Sequence, residues 1–256
     1  MTFRLVSCDG GGIRGYLTCS ILQQLHSETH FLDKADGFAG TSTGGLIAVA
    51  LADGRSQGKD MTKLIADLTA HYRDDAKRIF RENEHGLFDK TYDAFIKRFR
   101  HGGGPGITAA QYDASGLTEI GRSLVSDRTL ASLSPDLVLA VTTVCLHRNK
   151  SVGWSPFTIT NQDMRHDHWL DMSTVSLLDV ALASAAAPSY FPPHLIVAND
   201  VDFGYFADGG IFANNPIMNG INVAIAAKRA DRLSTVETLS VGTGQHPADI
   251  SEDMIK

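Results

Sequence analysis

The chain has 256 residues, 43% hydrophobic and 20% charged, with 23 basic against 29 acidic side chains and a formal net charge of −6. That length and composition fit one large α/β domain with a substantial core, while the acidic balance argues against a nucleic-acid binder and against whole-molecule attraction to anionic lipid. The three cysteines, Cys8, Cys19 and Cys145, are scattered among apolar neighbours, which excludes a disulfide framework and suggests buried thiols in a reducing compartment.

The N-terminus runs directly into a strand-like segment, so no secretory signal is expected. No apolar run approaches the length of a membrane span. No Cys/His spacing or EF-hand loop is present, so neither a metal nor a cofactor is expected.

Phe3 to Cys8 reads as a short buried strand that enters Asp9-Gly10-Gly11-Gly12-Ile13-Arg14-Gly15. A helix follows, with Leu17, Ile21, Leu22 and Leu25 assigned to one face. The glycine run has three readings. As Gly10-x-Gly12-x-x-Gly15 it matches the dinucleotide fingerprint of a nucleotide-binding module. As backbone N–H groups exposed at Gly10, Gly11 and Gly12 it is an oxyanion hole. As neither, it is a flexible turn. The fingerprint requires an acidic residue at the end of the next strand, where this sequence carries Gly40-Thr41-Ser42, with Asp33 and Asp36 ahead of the strand. Context therefore favours the oxyanion hole.

In Gly40-x-Ser42-x-Gly44 a serine stands between small residues where an apolar run becomes a helix, which suits a nucleophile on a tight strand-to-helix turn. Leu46 to Ala52, with Gly54 beyond, reads as a short buried helix whose N-terminus favours negative charge at Ser42. Residues 55–107 are charged and helical in period, a cap-like insertion. Its closing segment, 95–101, mixes Phe95 and Phe99 with Lys97, Arg98 and Arg100 ahead of Gly102 to Gly106. It reads either as a hinged membrane-touching cap or as a solvated surface helix.

Thr108 to Leu133 forms a helix-rich connector. Leu137 to Cys145 is a β-branched central strand, and Pro156 to Asn161 a shorter one. Ser176-Leu-Leu-Asp179 opens an Ala-rich helix to Ala187, which Pro188 ends. Phe203 to Phe206 leads into Asp208-Gly209-Gly210. Asn215 and Pro216 suit the start of a helix from about Ile217 to Arg229, and Val236 to Gly242 is a last strand.

A serine hydroxyl needs a proton acceptor. In the order Ser, Asp, His only His246 follows Asp208, in a polar tail past the last strand. A triad through His246 conflicts with the position of Ser42 after the second strand. Asp208 is the better partner: a carboxylate touching Ser42 acts as general base if burial raises its pKa. Asp208-Gly209 is also a common turn dipeptide.

These residues resemble the patatin-like phospholipases, lipid acyl hydrolases with a Ser/Asp dyad. Asp9 to Gly15 is similar to the family's oxyanion motif, Gly40 to Gly45 to its nucleophile elbow, and Asp208 to Gly210 to its acidic motif. Gln111-Tyr112-Asp113, Ala183 to Pro193, Asn214-Asn215-Pro216 and Leu239 to Gly244 match in the same order. The resemblance implies a three-layer α/β/α fold with a mostly parallel central sheet. It also implies Ca²⁺-independent cleavage of a phospholipid or lysophospholipid ester through a Ser42 acyl-enzyme, with Asp208 as base. Gly10 to Gly12 hold the oxyanion, with Arg14, Gly40, Gly44, Gly209 and Gly210 in support. A cytoplasmic protein is expected from the cysteines, with transient membrane association through residues 95–101 as one of the two readings of that segment, and the net charge of −6 leaves no nucleic-acid partner expected. An activating partner or ligand is left open. Family members continue beyond the last strand, whereas this chain ends twelve residues after Gly244, so a C-terminal portion is expected to be absent. The competing classes are the nucleotide-binding module on Gly10 to Gly15, an esterase through His246, and a silent membrane-docked scaffold.

Overall fold

A computed structural model describes residues 2–79, 115–148, 151–164, 171–188 and 190–244. Part of the expected insertion (80–107), the basic segment 95–101, Gln111-Tyr112-Asp113, Ser189 and His246 lie outside these residues.

Among the described residues seven strands form one sheet. β1 (Phe3–Cys8), β2 (Gly37–Thr41), β3 (Val138–Arg148) and β7 (Val236–Val241) are parallel, in the order β7-β1-β2-β3. β4 (Ser151–Thr160) and β6 (Val201–Asp208) run antiparallel to β3, and β5 (His194–Ala198) antiparallel to β6. The parallel strands alternate between two apolar faces because both sides of the sheet are covered. Val6, Cys8, Phe38, Leu139 and Val141 join the core on one side. Phe3, Leu5, Ala39, Val138 and Ala140 join the other.

The first face is covered by α1 (Gly15–Thr29), α2 (Thr43–Ser56), α3 (Met61–Ile79), α4 (Ser115–Leu124) and α5 (Leu177–Ala185). The second is covered by α6 (Ile217–Ala226) through Ile221, Val223 and Ala224. This is the three-layer α/β/α arrangement. α3 fills the start of the expected insertion but belongs to the helical layer, since Met61, Ile65, Leu68 and Tyr72 are buried in the main core.

A strand has two edges, and the two edges of β3 are used differently. β4 pairs with Ala140 through Arg148 and takes one edge. β2 and β6 must therefore share the other. β2 takes Val138 to Thr142, and β6, running the opposite way, takes Thr143 to His147. Their tips meet.

Several elements differ from the sequence reading. The buried face of α1 is Gly15, Thr18, Cys19, Leu22 and His26, while Leu17 and Ile21 are 43% and 36% exposed. The helix phase is fixed at its first residue, because a Cβ on Gly15 would overlap Thr43 and the Tyr72 ring. α2 continues through Gly54 to Ser56. β4 is longer than expected, because β3 itself continues to Arg148 and supplies the partner edge. β5 is an additional strand that the sequence does not predict. α6 ends at Ala226, where Lys228 turns left-handed at φ 58° and Arg229 donates back to the Ala224 carbonyl at 2.8 Å. Among the described residues no helix is long and apolar enough to cross a membrane.

Candidate active site

β1 and β2 are parallel neighbours with Cys8 opposite Gly40, so the loops that follow them open at the same edge of the sheet. Ser42 is the junction between β2 and α2. Its backbone stands at φ 55°, ψ −123°, a conformation that residues with a side chain rarely adopt. The turn is tight enough that a Cβ on Gly40 would overlap the Gly44 carbonyl, and one on Gly44 the Cys8 carbonyl. The Ser42 carbonyl accepts from Gly45 and Leu46 at 2.8 and 3.1 Å, which starts α2. A serine at this position ordinarily caps the helix with its hydroxyl. Here it makes no such bond, and the first turn's electropositive end is left facing the Ser42 turn.

Asp208 ends β6 opposite Thr143, and Thr41 ends β2 opposite Thr142. Asp208 is buried, only 7% exposed. Burial pushes its pKa from 3.8 up to about 6, against the lowering effect of the neighbouring Ser42 hydroxyl and of the Gly210 N–H. The Gly210 bond is 2.7 Å long, and it fixes the carboxyl's orientation. Gly209 follows directly, and a Cβ there would overlap Thr142. Ser42 and Asp208 are thus brought together, with Gly40, Gly44, Gly209 and Gly210 shaping the two turns.

The Gly10 to Gly12 loop is held by its carbonyls. Gly10 O accepts from Asn214 Nδ2 at 3.2 Å and from Thr243 Oγ1 at 2.9 Å. Gly11 O accepts from the Arg14 N–H at 3.2 Å and Arg14 Nε at 3.4 Å. Because a trans peptide sets N–H opposite C=O, these bonds turn the N–H groups of Gly11 and Gly12 to the other side. Gly10 departs from the oxyanion expectation: its N–H donates to the Asn214 carbonyl at 3.0 Å and is spent on holding the loop. Arg14 acts on the loop itself.

Sequence reasoning missed two residues here. Asn214 grips both polar groups of Gly10. Ser184, on α5, accepts from the Ser42 N–H at 2.8 Å. Asn214 was visible within its motif without a role, and Ser184 stands in an alanine run that reads as packing alone.

One group among the described residues, His26, His30 and Asp33, places possible metal-ligating atoms within 4.8 Å of one another. It lies at the far end of α1, roughly 22 Å from the loop at one 1.5 Å rise per residue. His26 Nδ1 accepts from the Leu32 N–H at 3.3 Å, so the neutral ring carries its proton on Nε2 and has no lone pair left for a metal.

The sequence profile of a family described as patatin-like phospholipase matches residues 6–221. The chain belongs to the patatin-like phospholipase family. It is 32% identical over 255 residues to the cGAMP-activated phospholipase of Vibrio cholerae serotype O1, covering 94% of this chain and 64% of that one. It is 30% identical over 267 residues to the cGAMP-activated phospholipase of Escherichia coli strain TW11681, covering 98% and 65%. Patatin-like protein 2 of Arabidopsis thaliana is 26% identical over 267 residues, covering 96% and 60%. This patatin-like chain therefore spans less than two thirds of the length of these relatives.

Proposed function

We propose that this chain hydrolyses a fatty acyl ester of a phospholipid or lysophospholipid through a Ser42 acyl-enzyme. The observation that carries the reading is the Asp208 carboxyl, buried beside the Ser42 hydroxyl with its pKa raised to about 6. A carboxylate so placed is basic enough to accept a proton near neutral pH.

As Ser42 Oγ attacks the ester carbon, its proton passes to Asp208. The carbonyl oxygen becomes negative and is met by the N–H groups of Gly11 and Gly12, with the α2 N-terminus adding positive potential. Collapse breaks the ester bond, and the leaving alkoxide takes the proton back from Asp208. Water then enters, gives a proton to Asp208 and attacks the acyl-enzyme. The fatty acid leaves and Ser42 recovers its proton. One water is consumed per ester, and Ser42 and Asp208 are both restored.

Relatives named as cGAMP-activated align along nearly all of this chain, so we place its activity under a cyclic dinucleotide as well.

The test is fatty-acid release from mixed phospholipid vesicles in excess EDTA, with and without cGAMP, for the wild type, Ser42→Ala, Asp208→Asn and His246→Ala. Release that both dyad variants lose by about a hundredfold or more supports one dyad acting as a unit. Retention of rate in Asp208→Asn with loss in His246→Ala replaces the dyad by the triad. No release from vesicles or a soluble ester in either condition overturns the hydrolase reading.

A further inference from the structure

Ser184 is fully buried in a helix whose neighbours on that turn are Leu182, Ala183, Ala185 and Ala186. A hydroxyl in such surroundings must find partners, and a helical serine usually returns its proton to the carbonyl one turn back. Ser184 does not. It donates to the Thr142 carbonyl on β3 at 2.7 Å and accepts from the Ser42 N–H at 2.8 Å. Thr142 is the β3 residue opposite Thr41, next to the residue opposite Asp208. One hydroxyl thus fastens the amide of Ser42 to the strand position where the tips of β2 and β6 meet. The fit is close on the helix side too, since a Cβ on Gly45 would stand 2.9 Å from Ser184 Oγ.

We propose that Ser184 is the positioning residue of the nucleophile turn. It holds the Thr41–Ser42 peptide in the orientation that keeps Ser42 at φ 55°, ψ −123°, and so keeps the Ser42 hydroxyl on Asp208. Without an acceptor for the Ser42 N–H, the peptide rotates to relieve the rare backbone conformation and carries the hydroxyl off line. The proposal rests on the hydrolase reading above, because positioning matters only if Ser42 reacts.

The experiment compares Ser184→Ala, Ser184→Cys and Ser184→Thr. The cysteine is nearest in size but a weak acceptor; the threonine keeps the hydroxyl. The readouts are the second-order rate at which a fluorophosphonate labels Ser42, located by mass spectrometry, kcat and KM on a soluble ester, amide exchange of the peptide covering residues 41–45, and the melting temperature. The expected result is a labelling rate and kcat about thirtyfold lower in the alanine and cysteine variants, with KM within about twofold, since only orientation is lost. The 41–45 amides exchange faster, the melting temperature holds, and threonine restores most of the rate. Unchanged labelling in alanine and cysteine, an equal loss in threonine, or failure of all three variants to fold overturns the positioning role. A wild type that neither labels at Ser42 nor cleaves the ester overturns the hydrolase reading as well. A labelled wild type matched by Ser184→Ala overturns the positioning role alone.

Discussion

Thr41 and Asp208 end on the same edge of β3, opposite the consecutive residues Thr142 and Thr143. They arrive from opposite directions, because β2 is parallel to β3 and β6 antiparallel. The residue after one tip is Ser42, and the tip of the other is the carboxylate that receives its proton in the proposed reaction. The proposed dyad, two residues 166 positions apart in sequence, is therefore built on one backbone segment. The Thr41 and Thr142 hydroxyls, 2.5 Å apart, lock that junction.

The pH profile follows from the buried carboxylate. Asp208 must be ionised to accept the Ser42 proton, and its pKa is pushed up to about 6. Expected kcat/KM on a soluble ester is flat above that value and falls with unit slope below it. An imidazole near 6.5 would give a similar limb, so temperature decides between them. A carboxyl's pKa barely moves on warming, whereas an imidazole's falls. A limb that shifts clearly to lower pH as the assay is warmed would sink Asp208 as the base.

The same shift has a stability consequence of opposite benefit. Unfolded, Asp208 loses its proton near 3.8; folded, it keeps it to about 6. Between those values the folded state binds more protons, so stability declines as pH rises through the window. The full difference is about 3 kcal/mol in favour of the protonated form. Asparagine keeps the acceptor for Gly210 without the buried charge. Asp208→Asn is expected to melt above the wild type at about pH 8, with the gap closing at about pH 4. A variant that melts below the wild type at both pH values contradicts the buried-charge account.

Much of this geometry was legible in the sequence, and the omissions have physical causes. β1, β2 and β3 announced themselves because strands buried on both faces read as unbroken apolar runs. The Gly40 to Gly44 spacing was readable because a turn without room for a Cβ admits little but glycine. β5 is harder to read because its apolar run, Leu195 to Ala198, is only four residues long and follows Pro192-Pro193, a turn signal; as an edge strand it leaves Leu195 and Val197 39% and 52% exposed. The overlooked signal was Asn199-Asp200, whose two positive φ values, 48° and 63°, make the tight turn of the β5–β6 hairpin. Ser184 and Asn214 were out of reach for another reason. Each acts by touching backbone far away in sequence, and composition carries no trace of a contact with a main-chain atom.

Asn214 supplies a sharper test of the glycine loop. Its Nδ2 holds the Gly10 carbonyl, and its Oδ1 lies 2.4 Å from where a Cβ on Gly10 would stand and 3.4 Å from where one on Gly210 would, with Asp208 Oδ1 3.1 Å from that second position. Asn214→Ala removes one hydrogen bond, about 1 kcal/mol of stability, and is expected to lower kcat about tenfold because the loop's N–H groups lose their aim. Asn214→Asp is expected to be worse. It sets a second carboxylate beside Asp208, which raises the pKa of Asp208 further and moves the acid limb of the rate profile to higher pH. Profiles that coincide for alanine and aspartate, once scaled in height, would remove Asn214 from the electrostatics of the site.

The tight turn makes a separate prediction about folding. A Cβ on Gly44 would overlap the Cys8 carbonyl and stand 2.7 Å from the Asp9 carbonyl oxygen. Both are backbone atoms, and both belong to the strand and loop that carry the proposed oxyanion donors, so no side-chain rotation relieves the overlap. Gly58 has nothing within 4 Å of its Cβ position and bears only the strain of φ +66°. Gly44→Ala is therefore expected to cost at least about 3 kcal/mol, as overpacking against rigid backbone does. Gly58→Ala should cost about 1–2 kcal/mol for a left-handed alanine. Urea midpoints of the two variants measure the difference. If they coincide, α2 can move away from β1, and the close contact between the nucleophile turn and the glycine loop is not a rigid feature of the fold.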